Sequence, residues 1–367
     1  MGHCCSGGSI FPTPPRSSFK ASCSRTCSRG KRLAGASPRG ASNCRPSRRP
    51  TFPCNWSRPM PDMHSPIAIL LLSLFAGAIR VSTPYLFVSL GECLTEKGGR
   101  VNLGLEGILV SGAMSGYAGA FLTGSPWAGV LIAGIAGLLL GCLHGLVCSL
   151  PRVSDIAFGI ALMLLGTGLA FYLGKPFIEP QAPMLPFIDL GMWTSSPQLH
   201  NALHINLLFV IGVALAFVLQ WGLRNTRWGM VLRLVGDHAE TARAMGYPLT
   251  SVRIAATAVG GVFAGIGGAY LSLVYPGSWN EGLSSGQGLM AVALVIFARW
   301  QPLRCLWAAL LFGAAGALGP ALQAIGVTSG YYLYNAAPYV LTLAIMIVNC
   351  RPDRTLAGEP GELSLTR

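Results

Sequence analysis

Residues 101–123 read VNLGLEGILVSGAMSGYAGAFLT, a continuous apolar run with a single charged side chain, Glu106. A run of about 20 apolar residues is long enough for an α-helix to cross the hydrocarbon core of a membrane. Runs of the same kind recur along the chain at 127–149, 156–174, 205–223, 254–274, 304–326 and 333–349. The repetition predicts an all-α fold, a polytopic integral membrane helical bundle with about 8–10 transmembrane helices.

The overall composition agrees with an exterior that faces lipid. The chain is 52% hydrophobic and 11% charged, whereas soluble domains carry about 25% charged residues. In water, so few charges would leave large apolar patches exposed. The lipid bilayer is therefore the first partner that the sequence predicts.

Two weaker segments decide the number of spans. Residues 286–298 form a short run without charge, which is a further candidate. Residues 67–95 are apolar but interrupted by Arg80 and Pro84, which predicts two short helices or a broken pair. Counting this segment as two spans gives about ten spans in all.

The basic loops predict the orientation, because Lys and Arg accumulate on the cytoplasmic side of a membrane protein. The loop 224–253 carries five arginines, so we expect it in the cytoplasm together with the tail 351–367. The Pro-rich loop 175–204 has no arginine and is expected outside. Lys97 and Arg100 then fall inside, and both chain termini are expected to be cytoplasmic.

Residues 1–63 differ in character from the rest of the chain. They contribute +10 to the net charge of +13 and have no hydrophobic period, which predicts a disordered basic tail. Three further interpretations stay open: a lipidation pattern at Met1-Gly2-His3-Cys4-Cys5-Ser6, an organelle transit peptide, or a later start at Met60 or Met63. We favour the later start, since Met63 opens directly onto the first apolar run. The remaining charge forms no basic stripe, so no nucleic acid is expected as a partner.

A short helix is predicted within the basic loop, where residues 237–246 read DHAETARAMG. Asp237 can act as the N-cap, with Glu240 three residues later completing a capping-box-like start. Gly246, followed by Tyr247 and Pro248, is a helix stop. One side of the helix is apolar: Ala239, Ala242 and Met245. The segment is either an ordinary surface helix or a small apolar knob that seats in a cleft of another subunit.

Three stretches resemble the permeases of bacterial ABC importers of the branched-chain amino acid, ribose and nucleoside superfamily. Residues 98–107 (GGRVNLGLEG) are similar to the family's G-V-V-N-I-G-L-E-G signature, with Arg100 departing at one apolar position. Residues 226–246 are similar to its cytoplasmic loop, although His238 stands where Asn is usual. Residues 286–300 (GQGLMAVALVIFARW) resemble its G-x-G-F-x-A-x-A segment. The match covers about residues 64–350, the expected transmembrane permease domain, and points to the nucleoside and simple-sugar branch.

The resemblance implies the permease subunit of an ATP-binding-cassette importer that translocates nucleosides or related simple sugars across the bacterial inner (cell) membrane. It implies cytoplasmic ATP-binding-cassette ATPases that hydrolyse the ATP, an external substrate-binding protein, and a second permease subunit that is expected to be a different chain. The chain itself is then no enzyme, and binds no cofactor and no metal. Coupling to the ATPase is expected at seven positions of the loop: Arg227, Gly229, Gly236, Asp237, Glu240, Ala242 and Gly246.

Nucleosides and sugars need hydrogen-bonding groups and an aromatic face along their path. The candidates for this translocation path are Asn102, Glu106, Tyr275, Trp279, Asn280, Tyr334 and Asn335. For the aromatic residues, a place in the interfacial belt is the alternative. Glu106 is either a functional acid at membrane depth or a structural one that bonds backbone groups or Asn102. Gly104, Gly112, Gly116 and the glycine-rich run 260–268 predict close helix packing.

The alternative function is an ion-gradient-driven secondary transporter of a small polar solute. A proton relay would need several acids at membrane depth, and the sequence indicates essentially one, Glu106. The chain has no GxxxxGK[ST] motif, so any ATP would be hydrolysed by a partner. A membrane-embedded enzyme would need a His, Asp or Glu cluster, but His144 is solitary. The cysteine spacing fits no zinc site.

Overall fold

The computed structural model describes residues 66–349, apart from 179, 190–203, 275 and 328, together with 360, 361 and 363. The tail 1–63 and most of the tail 351–367 lie outside the described residues. The described chain is almost entirely helical. Its strands are a short antiparallel pair, β1 (Phe187–Asp189) and β2 (His204–Asn206).

Most of the described helices are joined by short connections, and the longest connection covers 175–206. In chain order they are α1 (Pro66–Lys97), α2 (Leu105–Thr123), α3 (Pro126–Val147), α4 (Asp155–Gly174), α5 (Leu207–Asn225), α6 (Arg227–Asp237), α7 (Ala239–Ala244), α8 (Leu249–Leu273), α9 (Gln287–Phe297), α10 (Pro302–Ala324), α11 (Tyr331–Asn335) and α12 (Ala337–Asn349). Within the described ranges, 7 helical stretches are long and apolar enough to cross a membrane, and α9 is a shorter apolar helix. The predicted polytopic helical bundle is confirmed.

The first helix is continuous, so the prediction of two short helices over 67–95 is wrong. Pro84 lies inside α1 without ending it. In the preceding turn, the hydroxyl groups of Ser82 and Thr83 donate to the carbonyl of Ile79 at 3.1 and 2.9 Å. Proline is tolerated inside membrane helices where hydroxyl side chains and neighbouring helices satisfy the backbone, and α10 packs closely along this part of α1.

A single α1 changes the expected topology. If Lys97 and Arg100 lie on the cytoplasmic side, as the charge rule requires, then Pro66 at the other end of the helix lies on the opposite side. The expectation that both termini are cytoplasmic requires two spans in this segment. A single continuous α1 does not support it.

The centre of the bundle consists of α2 and α8. In an apolar stretch of 18 residues within each of these helices, 78% and 72% of the residues are buried. The corresponding fractions are 22% for the span that begins with α4 and 28% for α5. The two central helices touch backbone to backbone, since a methyl group added at Gly112 would lie 2.6 Å from the Cα of Gly265. Small residues allow such close approach, as predicted for Gly112 and the run 260–268. The outer helices expose large apolar side chains, Leu139, Leu164 and Phe217 among them.

Candidate functional site

The basic loops contact one another at one end of the bundle, which we call the basic end. Arg100, ahead of α2, pairs with Asp155 at the start of α4. Arg253 in α8 donates from Nε to the carbonyl of Gly98 at 3.2 Å and from Nη2 to the carbonyl of Val235 at 3.4 Å. The loops that the charge rule assigns to the cytoplasm are thus joined by direct bonds.

The predicted coupling residues lie on α6 and α7, and the short helix is present at the basic end. Its start differs from the prediction: Asp237 is the last residue of α6, and His238 takes the N-cap position without a side-chain hydrogen bond. The assignment of Asp237 as N-cap is therefore wrong. The reason is that α6 has its own cap, where Thr226 Oγ1 accepts from the N–H of Gly229 at 3.2 Å, and runs on to Asp237. Gly246 lies just after the end of α7 in a left-handed conformation, with φ +82°, and acts as the predicted helix stop.

The seven coupling residues divide into a buried and an exposed set. The buried set is Gly229, Gly236 and Ala242; the exposed set is Arg227, Asp237, Glu240 and Gly246. A side chain at Gly236 would overlap the carbonyl of Lys97, so this glycine lets α6 lie against the end of α1. The buried set fixes the position of the loop on the bundle, and the exposed set is what a partner could touch.

The same loop exposes three large apolar side chains, of which the sequence pattern indicated only Met245 as a contact residue. Trp228 is 83% exposed, Met230 57% and Met245 64%. The apolar side predicted for α7 is not one face, because Ala242 is buried in the protein while Met245 points outward. Apolar groups exposed together at a charged end are typical of an interaction surface.

Glu106 binds the N-terminus of α9, in an arrangement we call the Glu106 junction. Its carboxylate accepts from Ser284 Oγ at 2.5 Å, from the N–H of Gly286 at 3.0 Å and from the N–H of Gly288 at 2.6 Å. The first N–H groups of a helix have no partner within the helix. A negative charge there also interacts favourably with the helix dipole.

The shortness of α9 explains why it needs this carboxylate. Its 11 residues extend about 16 Å, against a hydrocarbon core of about 30 Å. The helix therefore begins inside the bundle, where an unsatisfied N–H costs several kcal/mol. A side chain at Gly288 would lie 2.6 Å from the Cα of Glu106, so a glycine is required there. The geometry favours the structural interpretation of Glu106. It also shows that the motif 98–107, which contains Glu106, is bonded to the motif 286–300, which contains Gly286 and Gly288.

Two further buried acids lie on α1, and the sequence analysis missed both. Glu92 and Glu96 are 0% and 2% exposed. Oε1 of Glu92 accepts from the N–H of Asn102 at 2.9 Å, and Oδ1 of Asn102 accepts from the N–H of Gly104 at 2.9 Å. The indole N–H of Trp300 donates to Glu96. The count of one deep acid is therefore wrong; two acids one turn apart in an otherwise apolar stretch were the available signal.

The residues predicted to line a path are not gathered into one lining. Trp279 is 1% exposed, and a side chain at Gly174, the end of α4, would overlap its indole ring, so Trp279 is a core residue. The others differ in exposure: Asn102 and Glu106 are buried, Tyr334 is half-buried, Asn280 and Asn335 are exposed, and Tyr275 lies outside the described residues. Their role in translocation stays a prediction.

A cavity of about 460 Å³ opens at the basic end, with Arg100, Asp155, Arg253 and Cys148 in its wall. Burial, followed by the nearby negative charge of Asp155, raises the pKa of the Cys148 thiol to about 12. A thiol with this pKa stays protonated at neutral pH and is a poor nucleophile. Cys148 is therefore a packing residue of the cavity wall.

The fold and its basic end define a class, a polytopic helical membrane protein that presents an apolar and charged loop at one end. Residues 74–349 match the family model described as branched-chain amino acid transport system, permease component. This range includes both the Glu106 junction and the α6–α7 loop. The chain belongs to this permease family, as its three motifs predicted.

Individual relatives agree with the family. The chain is 33% identical to TsgC13 of Haloferax volcanii, a provisional glucose ABC transporter permease protein, over 67% of this chain and 76% of the relative. It is 30% identical to the nucleoside ABC transporter permease protein NupC of Lactococcus lactis, over 74% and 90%. It is 28% identical to the guanosine ABC transporter permease protein NupQ of Bacillus subtilis, over 75% and 91%. These similarities favour an ABC transporter permease over the ion-gradient-driven carrier.

Proposed function

We propose that the chain is the membrane-spanning subunit of an ABC importer that moves nucleosides or related simple sugars across the bacterial inner membrane. The observation that carries the proposal is the similarity over 90% of NupC and 91% of NupQ, whose names specify a nucleoside and guanosine. The name of TsgC13 points to glucose. Both kinds of solute present a hydroxyl-bearing ring, so we define the substrate class by that ring.

In this proposal the ATP is hydrolysed by a separate ATP-binding-cassette subunit that seats on the α6–α7 loop. The exposed Trp228, Met230 and Met245 supply an apolar centre, and the exposed charges Arg227 and Glu240 supply a polar rim, the arrangement common to protein interfaces. The chain then needs no cofactor and no ATPase site of its own. The buried Gly229 and Gly236 support the coupling role, because they pack the loop tightly against α5 and α1.

A second permease subunit and an external binding protein complete the importer. The scatter of the described path candidates supports a second permease chain, since the described part of this chain does not bring them to a common surface. Delivery of the solute by an external binding protein then sets most of the selectivity, and the path itself requires no tight site.

The test compares two matched variants, Gly246→Arg and Gly326→Arg. Both glycines have left-handed backbone (φ +82° and +89°) and open space around them, but they lie at opposite ends of the bundle. We expect the tagged chain to co-purify with an ATPase carrying a Walker motif, and only Gly246→Arg to abolish this. ATP-dependent uptake of radiolabelled guanosine or glucose should be lost with it. Uptake that follows a proton or sodium gradient, or that survives Gly246→Arg, would contradict the proposal.

A further inference from the structure

A second cavity, of about 230 Å³, lies where the ends of α1, α5, α6 and α10 meet. Its wall contains three basic residues, and glutamines and a tryptophan beside them: Lys97, Arg224, Arg233, Gln220, Gln301 and Trp300. Among the residues that the structure describes, no acidic side chain lines this cavity. Nothing in the proposed transport function uses it.

The positive charge of the cavity is not neutralised by the contacts that the structure records there. Arg233 donates from Nε to the carbonyl of Gly229 at 3.3 Å, which orients its side chain but leaves the charge. With its amide oxygen turned toward Arg224, Gln220 accepts from that guanidinium at 3.0 and 2.6 Å. Glu96 is buried and does not line the cavity; its carboxylate accepts from the indole N–H of Trp300, which does. Three like charges around a small volume repel one another, and an anion placed between them relieves the repulsion.

The residues around the cavity indicate that it lies at the level of the lipid headgroups. Trp221 on α5 is 62% exposed, and Trp307 on α10 is 70% exposed. Both lie within about two helical turns of the cavity, and exposed tryptophans are enriched at the membrane–water interface. Further along α5, Phe217 and Val218 are 56% and 58% exposed. The cavity therefore opens beside an apolar surface that suits acyl chains.

We propose that this cavity binds the phosphodiester headgroup of an anionic phospholipid, whose acyl chains lie along α5 and α10. Basic pockets between transmembrane helices on the cytoplasmic side suit such headgroups. A zwitterionic headgroup carries its own cation beside the phosphodiester, so its net charge is zero and it would compensate the three positive charges less than an anionic headgroup does. Because Arg233 belongs to α6, the bound lipid ties the start of the α6–α7 loop to the membrane surface.

The test measures lipid retained by the full-length chain, purified from membranes and analysed by native mass spectrometry with phosphatidylglycerol or phosphatidylcholine. The double variant Arg224→Gln/Arg233→Gln removes two charges from the cavity. The matched control Arg152→Gln/Arg243→Gln removes two exposed charges from the same end, outside the cavity. Each cavity charge contributes about a fivefold factor, so phosphatidylglycerol retention should fall about 25-fold in the first variant. The control should stay within about twofold of the unchanged protein.

Two further measurements separate misfolding from loss of charge and test the electrostatic origin of the binding. The variant Arg224→Lys/Arg233→Lys keeps the charge and should keep phosphatidylglycerol. In the unmodified protein, the retained phosphatidylglycerol should decrease as salt is raised, because screening weakens exposed electrostatic contacts.

Several results would overturn the proposal. Equal losses in the cavity and control variants would mean non-specific attraction to the basic end. Equal retention of phosphatidylcholine would exclude a role for headgroup charge, and displacement of all lipid by millimolar inorganic phosphate would identify a free-anion site. Unchanged lipid retention, with loss of a co-purifying subunit in the cavity variant, would assign the cavity to an acidic surface of a protein partner.

Discussion

The Glu106 junction and the α6–α7 loop arrange their groups in opposite ways. At the junction, polar groups are buried and satisfy one another: a carboxylate meets one hydroxyl and two backbone N–H groups. On the loop, apolar groups are exposed, with Trp228 at 83% and Met245 at 64%. The junction therefore satisfies its polar groups within one chain. The loop would be stabilised if a partner subunit buried its exposed apolar side chains. Changes at the junction should act on the stability of the fold, and changes on the loop should act on association.

The largest effect on stability is expected for Glu106→Ala. The change leaves three donors without their shared acceptor at membrane depth, and hydrogen bonds to charged groups contribute about 1.5–3 kcal/mol each. We expect a loss of roughly 3–5 kcal/mol in the free energy of unfolding, measured by thermal or denaturant unfolding in detergent.

The matched control for that change is Glu281→Ala, an exposed acid in the loop that precedes α9. It should leave the unfolding midpoint close to unchanged. Equal midpoints for the two alanine variants would mean that Glu106 does not hold α9 in place.

A smaller loss of stability is expected for Gly112→Ala at the contact of α2 and α8. The added methyl group would lie 2.6 Å from the Cα of Gly265, and backbone atoms cannot move aside as a flexible side chain can. Overpacking of this kind costs about 1–3 kcal/mol. Gly168→Ala on α4 is the control, because its methyl group meets no atom within 4 Å. There the free energy of unfolding should stay the same or rise, since alanine has the higher helix propensity. The same unfolding assay compares the two, and a loss at Gly168 as large as that at Gly112 would refute the packing argument.

Replacing the exposed apolar groups should leave the isolated chain almost unaffected. For Trp228→Ser/Met230→Ser we expect a change within ~0.5 kcal/mol in the free energy of unfolding. Because these side chains would form the centre of the interface with the ATPase, the same variant should lose the co-purifying subunit. If this variant loses stability but keeps the subunit, the loop side chains contribute to the fold and not to association, contrary to our expectation.

The smallest perturbation uses chemical labelling rather than destabilisation. With a thiol pKa of about 12, Cys148 stays protonated at pH 8, while an ordinary exposed cysteine near pKa 8.5 is partly thiolate. In single-cysteine variants, a maleimide should react at least about a hundredfold more slowly at Cys148 than at Met245→Cys. Above pH 8 the rate at Cys148 should keep rising, by about tenfold per pH unit, whereas the rate at Met245→Cys should level off above about pH 9. Rapid labelling at pH 8 would show that the cavity wall is open.

The features that the sequence predicts well are the local ones. Apolar runs of sufficient length identify the long helices, and the spacing of small residues at Gly112 and 260–268 identifies their contacts. Gly246 is recognised because a left-handed residue after a short helix ends it. Each of these signals lies within one segment, so a single sequence is enough to read it.

The features that it predicts poorly depend on partners far away in the chain. Glu106 meets Ser284 across 178 residues, and no local pattern tells that a carboxylate on α2 caps α9. Pro84 is tolerated because hydroxyl groups and α10 support α1, which the local sequence leaves undecided. The local pattern predicts Asp237 as the N-cap of α7, but Asp237 ends α6, because α6 is capped by Thr226 eleven residues earlier and runs on to Asp237.

The most direct test of the central claim is a site-specific photo-crosslink from the α6–α7 loop. A photo-reactive amino acid at Met245 is compared with one at Leu333, which is 72% exposed but lies at the opposite end of the bundle. In intact cells we expect Met245 to link to an ATPase carrying a Walker motif, and Leu333 not to. Linking of the ATPase from Leu333 alone, or from neither position while ATP-dependent uptake continues, would contradict this expectation.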